Sequence, residues 1–225
     1  MYLKQNEKYQ KKDSKKMAVF VTPFASKQEG MKDLLVLLGK KKEAKEIERE
    51  YQRRKLLGPW VRGIEKIAEQ LQDNFIDRLV EVTSYYCERS LLKGIREFSQ
   101  ALREQNFLVG AVTSDPQFMM DVVKEDAKLD FAYGTELEFK SKIATGKVLK
   151  KLDRYDKAEL IKRKAQEFNI PKQNIITIGE SSIVHLPAAK KSNVFIGFDP
   201  RKETLSEIAR TIVTDRNLRK IFFGK

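Results

Sequence analysis

The feature that most constrains the fold is a series of short, wholly apolar segments, with amphipathic helical stretches between them. Residues 17–22 (MAVFVT), 107–114 (FLVGAVTS), 174–180 (NIITIGE) and 193–198 (NVFIGF) are apolar at consecutive rather than alternate positions. That is the pattern of strands buried on both faces. A last short strand is expected at 211–214 (TIVT). Helical spacing fills much of the rest: an amphipathic helix over 91–105, a helix over 117–128 and another over 157–169. The stretch from 131 to 149 reads as short strands and a hairpin, and Asp115-Pro116 as a turn. Strands alternating with helices imply a mostly parallel sheet covered on both sides. In such sheets ligands bind beyond the carboxyl ends of the strands. The segments to inspect for function are therefore 21–30, 113–116, 179–186 and 197–200.

Between the first two strands the period changes. From 30 to 90, MKDLLVLLG, EAKEIEREYQRR, VRGIEKIAEQLQ and FIDRLVEVTSYYCERS place apolar residues three and four apart, with Gly39 and Gly58-Pro59 as breaks. This is a helical insertion. The domain reading is a basic arm at 1–16, a core built from 17–29 and 91–225, and a helical cap at 30–90.

Charge bounds the partners. The 225 residues carry 45 Lys and Arg against 32 Asp and Glu, a net charge of +13. Six lysines lie in the first sixteen residues, beside Glu7 and Asp13. A second basic cluster runs through residues 40–55, from Lys40, Lys41, Lys42 and Lys45 to Arg49, Arg53, Arg54 and Lys55. With interleaved Glu43, Glu46, Glu48 and Glu50 cancelling much of its field, it reads as a solvated helix face; the alternative, since a global excess remains, is an electrostatic footprint for phosphate-bearing partners. No apolar run approaches the roughly 18 residues of a membrane span, and no signal-type apolar stretch follows the arm, so a cytoplasmic protein with no membrane partner is expected. Cys87 is the single cysteine, which excludes an internal disulfide and a cysteine-rich zinc site. Its setting, SYYCERS, reads as packing.

In order and spacing these segments resemble the haloacid dehalogenase superfamily, in its phosphoserine phosphatase-like branch of archaeal type. FAYGTELEF…KIATGKV is similar to the family's hairpin, the insertion to its small cap, and DPRKETLSEIARTIVTDRNLRK to its tail. The resemblance covers nearly the whole chain after residue 16. It implies an α/β fold: a Rossmannoid three-layer core with a mostly parallel sheet, and a small helical cap inserted after the first strand.

The resemblance also assigns roles, and the key ones fall on the wrong residues. The family's first strand ends in D-x-D-x-T. Here Val21 stands at the nucleophilic Asp, Pro23 at the general acid/base Asp and Ala25 at the Thr. The first carboxylate would attack phosphorus and the second would protonate the leaving group. Valine does neither, and proline offers no N–H to a phosphate. The second motif, a hydroxyl after a strand, matches Thr113, with Ser114 behind it. The third, a lysine opening a helix, matches Lys157. The fourth, G-D-x-x-x-D, reads Gly179-Glu180-Ser181-Ser182-Ile183-Val184: Glu180 keeps one carboxylate, while Val184 replaces the other. The family holds magnesium there. With Val21 and Val184 in place, no metal and no cofactor are expected, magnesium entering only if Asp115 or Asp199 substitutes. A cap Glu falls on Gly30, beside Glu29, and a cap Arg that would grip a substrate carboxylate falls on Glu65, with Arg62 and Lys66 on other faces. His185, the single histidine, reads as a surface or packing residue. Phe131, Tyr133 and Phe139 on the hairpin read as core or cap contacts.

Three functions follow from this reading. The first is a catalytically inactive pseudophosphatase, a binding or regulatory protein for a phosphorylated ligand or other anion held by Thr113, Ser114, Lys157 and Glu180. The second is an RNA- or ribosome-associated protein using the basic arm and residues 40–55. The third is a phosphomonoester hydrolase with rewired acids.

Overall fold

The computed structural model describes residues 15–21, 30–54, 63–180, 182–198, 209–213 and 217–218. Its strands are β1 (Lys16–Phe20), β2 (Phe107–Pro116), β3 (Phe131–Lys140), β4 (Ile143–Lys150), β5 (Ile175–Gly179), β6 (Val194–Phe198) and β7 (Thr211–Val213). Its helices are α1 (Gly30–Leu37), α2 (Lys41–Arg54), α3 (Gly63–Leu71), α4 (Ile76–Ser90), α5 (Ile95–Glu104), α6 (Gln117–Ala127), α7 (Arg154–Glu167) and α8 (Ser182–Ala189). They form one seven-stranded sheet in the order β4-β3-β2-β1-β5-β6-β7. Every neighbouring pair is parallel except the β3–β4 hairpin. No described helix is long and apolar enough to cross a membrane.

The central strand explains the layering. Side chains alternate across a strand, and β1 is apolar on both sides. Ala18 and Phe20 enter a cluster with Ile95, Phe98 and Leu102 of α5 and Met120, Val123 and Ala127 of α6. Met17, Val19 and, just beyond the strand, Val21 enter a second cluster with Leu160, Ile161 and Ala165 of α7 and Ala188 of α8. The result is helix, sheet, helix. A third cluster joins Leu34 and Leu35 of α1, Ala44 of α2, Ile64, Ile67 and Leu71 of α3 and Leu79 and Val82 of α4. Phe118 and Met119 of α6, Leu137 of β3 and Ala144 of β4 complete it, so the inserted helices close their apolar face against α6 and the hairpin. Tyr86 ties α4 to α1 by donating to Asp33 Oδ2 at 3.0 Å.

Several boundaries differ from those the sequence pattern predicts. The helix expected at 157–169 starts at Arg154, because Asp153 caps it: Asp153 Oδ1 accepts from the backbone of Tyr155 (2.6 Å) and Asp156 (2.9 Å), and Asp156 Oδ2 accepts from Asp153 N–H at 3.0 Å. This capping box satisfies orphan donors that a later start would leave open. Lys157 is thus inside α7 rather than its opening residue. The helix expected from 91 starts at Ile95, after Gly94 at φ 83°; that left-handed backbone suits glycine. The turn expected at Asp115-Pro116 is the end of β2, which keeps pairing with β3 across a register shift between Val112 and Pro116. The aromatic residues of the hairpin pack as expected: Phe139 meets Phe118 edge-on at 6.3 Å, and Phe131 lies 5.9 Å from Tyr133. Cys87 is buried among the α5 and α6 contacts. Burial, then the charges of Asp126 and Asp115, push its thiol up to about 12, which keeps it an unreactive thiol at neutral pH.

Candidate functional site

Three chain segments meet where parallel strands end: the close of β1, the close of β2 and the close of β5. Residue 21 continues β1, since its N–H donates to Ile178 O at 2.9 Å. Its side chain is Val21, 0% exposed. A Cβ built on Gly179, at the end of β5, would meet His185 Nδ1 at 2.5 Å and Val21 Cγ2 at 3.0 Å. Glycine at 179 is what lets the valine and the imidazole approach the strand end.

His185 is 4% exposed, which settles between surface and packing in favour of packing. Glu180 N–H donates to its Nδ1 at 3.1 Å. An accepting Nδ1 belongs to a neutral ring protonated at Nε2. Burial first, and the Lys157 charge second, hold its pKa well below the ordinary histidine value. It is a fixed, uncharged wall of the site.

At the end of β2, Thr113 and Asp115 close a small ring. Thr113 Oγ1 donates to Asp115 Oδ2 at 3.0 Å, and Asp115 N–H donates back to Thr113 Oγ1 at 3.1 Å. Met120 Sδ lies 3.2 Å from the same hydroxyl. Asp115 is 7% exposed. Its pKa is raised by burial, against the lowering effects of the Thr113 hydrogen bond and the Lys157 charge. Lys157, in the first turn of α7, is 4% exposed. Burial pulls its pKa down to about 8, opposed by the attraction of Asp115, then Glu180, then Asp153.

Of the residues expected to hold a ligand, Thr113 stands at the end of β2 bonded to Asp115, Glu180 follows β5, and Lys157 of α7 lies in the field of Asp115 and Glu180. Ser114 does not join them: its hydroxyl donates to Leu152 O at 2.9 Å, while Thr135 Oγ1 donates to Ser114 O at 3.0 Å. It holds β2 to β3 and to the loop before α7. Asp115, weighed in the sequence only as a substitute metal ligand, is a full member of the cluster. Glu65, at the position of the family's substrate-gripping cap arginine, pairs with Lys151 Nζ at 3.1 Å. Pro23, Ala25 and Asp199, and the side chain of Val184, lie outside the described residues, as does most of the basic arm and of the tail.

Comparison with known proteins bears on this arrangement. No family model matches the chain. A phosphoserine phosphatase of Archaeoglobus fulgidus is 27% identical over 134 residues, 59% of this chain and 38% of the relative. The match thus spans well under half of that relative's own length. Among solved structures, a phospho-aspartyl intermediate analogue of phosphoserine phosphatase superposes with a TM-score of 0.77 at 22% identity, covering 93% of this chain and 98% of that one. A HAD family hydrolase from Salmonella enterica serovar Typhi superposes with a TM-score of 0.77 at 17% identity, covering 93% and 71%. The chain therefore has the haloacid dehalogenase fold in its phosphoserine phosphatase-like form, as the order of its motifs implied.

One expectation is corrected by these relatives. The sequence reading expected no cofactor, because Val21 and Val184 carry no ligand oxygen. Phosphoserine phosphatases of this fold are magnesium-dependent, so the relatives imply magnesium and the expectation of none does not stand. The described residues do not by themselves match the ion's preference for near-octahedral oxygen ligation. Asp115 and Glu180 are carboxylates at the strand ends, but Val21 offers hydrocarbon. No group of three His, Cys, Asp or Glu among the described residues could hold a metal ion.

Proposed function

We propose that this chain is a pseudophosphatase: a haloacid dehalogenase scaffold that makes no aspartyl phosphate and serves as a binding or regulatory protein. The observation that carries the reading is Val21. Attack on phosphorus needs a nucleophile with a lone pair at that strand end, and the side chain there is a fully buried hydrocarbon packed with Met17, Val19 and Ala188. Asp115 is no substitute nucleophile, because its carboxylate is bonded to Thr113 and buried. Loss of a nucleophile typically costs several powers of ten in rate. A phosphate-release assay over a panel of phosphomonoesters, with magnesium present, tests the reading. The expected result is release at the rate of the protein-free control. Magnesium-dependent turnover abolished by Glu180→Gln would establish the rewired hydrolase instead.

One observation favours a second reading, docking on RNA. Along α2, Lys41, Lys45 and Arg49 lie four residues apart and are exposed, with exposed Lys42 beside them. That spacing puts the first three on one helix face. Of the acids interleaved with them, Glu46 is exposed, whereas Glu43, Glu48 and Glu50 are half-buried and Glu50 pairs with Lys66. The sequence reading counted those acids as cancelling the field; the helix turns most of them partly inward. A single-stranded RNA should therefore bind the full chain at low salt. The charge-reversed variant Lys41→Glu, Lys45→Glu, Arg49→Glu should bind at least about tenfold more weakly, with a shallower salt dependence, because fewer counterions are released. Equal affinity and equal salt slope for the two proteins would remove this reading.

A further inference from the structure

The hydroxyl that would meet a phosphoryl group is already engaged by a carboxylate of the protein's own. Thr113 has one hydroxyl proton, which goes to Asp115 Oδ2, and its oxygen accepts from Asp115 N–H. What the hydroxyl could offer a phosphate oxygen is thus spent within the β2 end. Lys157 is the buried cation of the same cluster, and Asp115 is the strongest of the negative charges acting on it, ahead of Glu180 and Asp153. Asp115 is itself nine-tenths buried. Its carboxylate is a planar oxyanion taking a hydroxyl hydrogen bond and the field of a lysine, as a bound phosphate oxygen would.

From this we infer that Asp115 is a built-in occupant of the anion cradle, and that it sets the specificity of the site by excluding phosphate. The inference rests on the reading of Thr113 and Lys157 as the phosphate-facing groups. A phosphate brought to Thr113 meets a carboxylate at hydrogen-bonding range from the same hydroxyl, and two anions among buried groups repel strongly. Glu180 adds to the negative potential. The phosphorylated ligand expected from sequence matching is therefore disfavoured by a residue outside the matched positions.

The test is binding of inorganic phosphate to the full chain, followed by calorimetry and by phosphorus NMR at pH 7.5, for the wild type, Asp115→Asn and Asp115→Asn/Lys157→Met. The wild type should show no saturable binding at phosphate concentrations around 1 mM. Asp115→Asn removes the charge while keeping the shape, and should bind at least about tenfold more tightly. The double variant should lose that gain, because the cation that receives the phosphate is gone. Asp115→Ser serves as a second opening variant should the asparagine form be misfolded by circular dichroism. Saturable wild-type binding that neither variant improves would overturn the inference, as would a gain that survives the loss of Lys157. Turnover is a separate readout: a wild type that hydrolyses phosphomonoesters refutes the pseudophosphatase reading, whatever these affinities show.

Discussion

Val21→Asp should destabilise the fold by about 3–5 kcal/mol at pH 7.5, measured as the shift in urea unfolding free energy. The position is fully buried within an apolar cluster. An aspartate there is a charge removed from water with hydrocarbon neighbours, and such a group either neutralises or costs stability. Burial raises the folded-state pKa of the new carboxyl above its unfolded value. The folded chain then binds the proton more tightly, so the penalty is smallest below the unfolded pKa and grows as pH rises through the folded pKa. The same variant at pH 4.5 should therefore lose less, relative to wild type at that pH, than it does at pH 7.5. Equal stability of variant and wild type at pH 7.5 would mean that the end of β1 admits water, and that the valine does not seal the site.

Lys157→Met is the second large effect. It removes the buried cation that acts on Asp115 and Glu180, leaving a 7% exposed carboxylate without its countercharge. Burial outweighs that attraction in setting the lysine's pKa, so at pH 7 the charged lysine is held at a net cost, and Lys157→Met should raise the urea unfolding free energy by about 1–3 kcal/mol. The double-mutant cycle with Asp115→Asn should still show a favourable coupling of about 1 kcal/mol, since the two charges attract. Additive changes would show that the two groups do not interact. The pH dependence has a definite sign. The folded pKa of Lys157, about 8, lies below the ordinary lysine value of 10.5. Between those values the unfolded chain holds a proton that the folded chain has released, so this group's contribution to stability rises with pH across that window. In Lys157→Met that rise should be absent.

The sheet was legible because β1, β2, β5 and β6 are apolar at successive positions, and only a strand covered on both faces needs that. The helical run between β1 and β2 was legible because its apolar residues keep a helical period. What the sequence obscured was local hydrogen bonding. Asp153 and Asp156 look like loop acids, yet together they close the capping box that begins α7 three residues early. Ser114 looked like a partner of Thr113, but its hydroxyl is drawn to Leu152 by the fold of the β2 end. Asp115 was read against the positions that relatives use for metal, a frame with no place for a carboxylate bonded to the adjacent threonine. The signal was present: an acid two residues after a buried threonine, at the end of a parallel strand, must find a hydroxyl or a cation. On α2 the alternating charges suggested cancellation, whereas the helical period, applied residue by residue, separates Lys41, Lys45 and Arg49 from Glu43 and Glu50.

The central claim is that the scaffold lacks the carboxylate chemistry of its relatives. The most direct measurement is phosphate release with magnesium by the wild type, beside a triple variant, Val21→Asp, Pro23→Asp, Val184→Asp, with folding checked by circular dichroism. A wild type indistinguishable from buffer is expected, with measurable turnover only when the triple variant also carries Asp115→Asn, which frees Thr113 for the phosphoryl group while the restored acids supply nucleophile, acid/base and metal ligand together. Magnesium-dependent turnover by the wild type would contradict it and place the reacting carboxylate elsewhere in the chain.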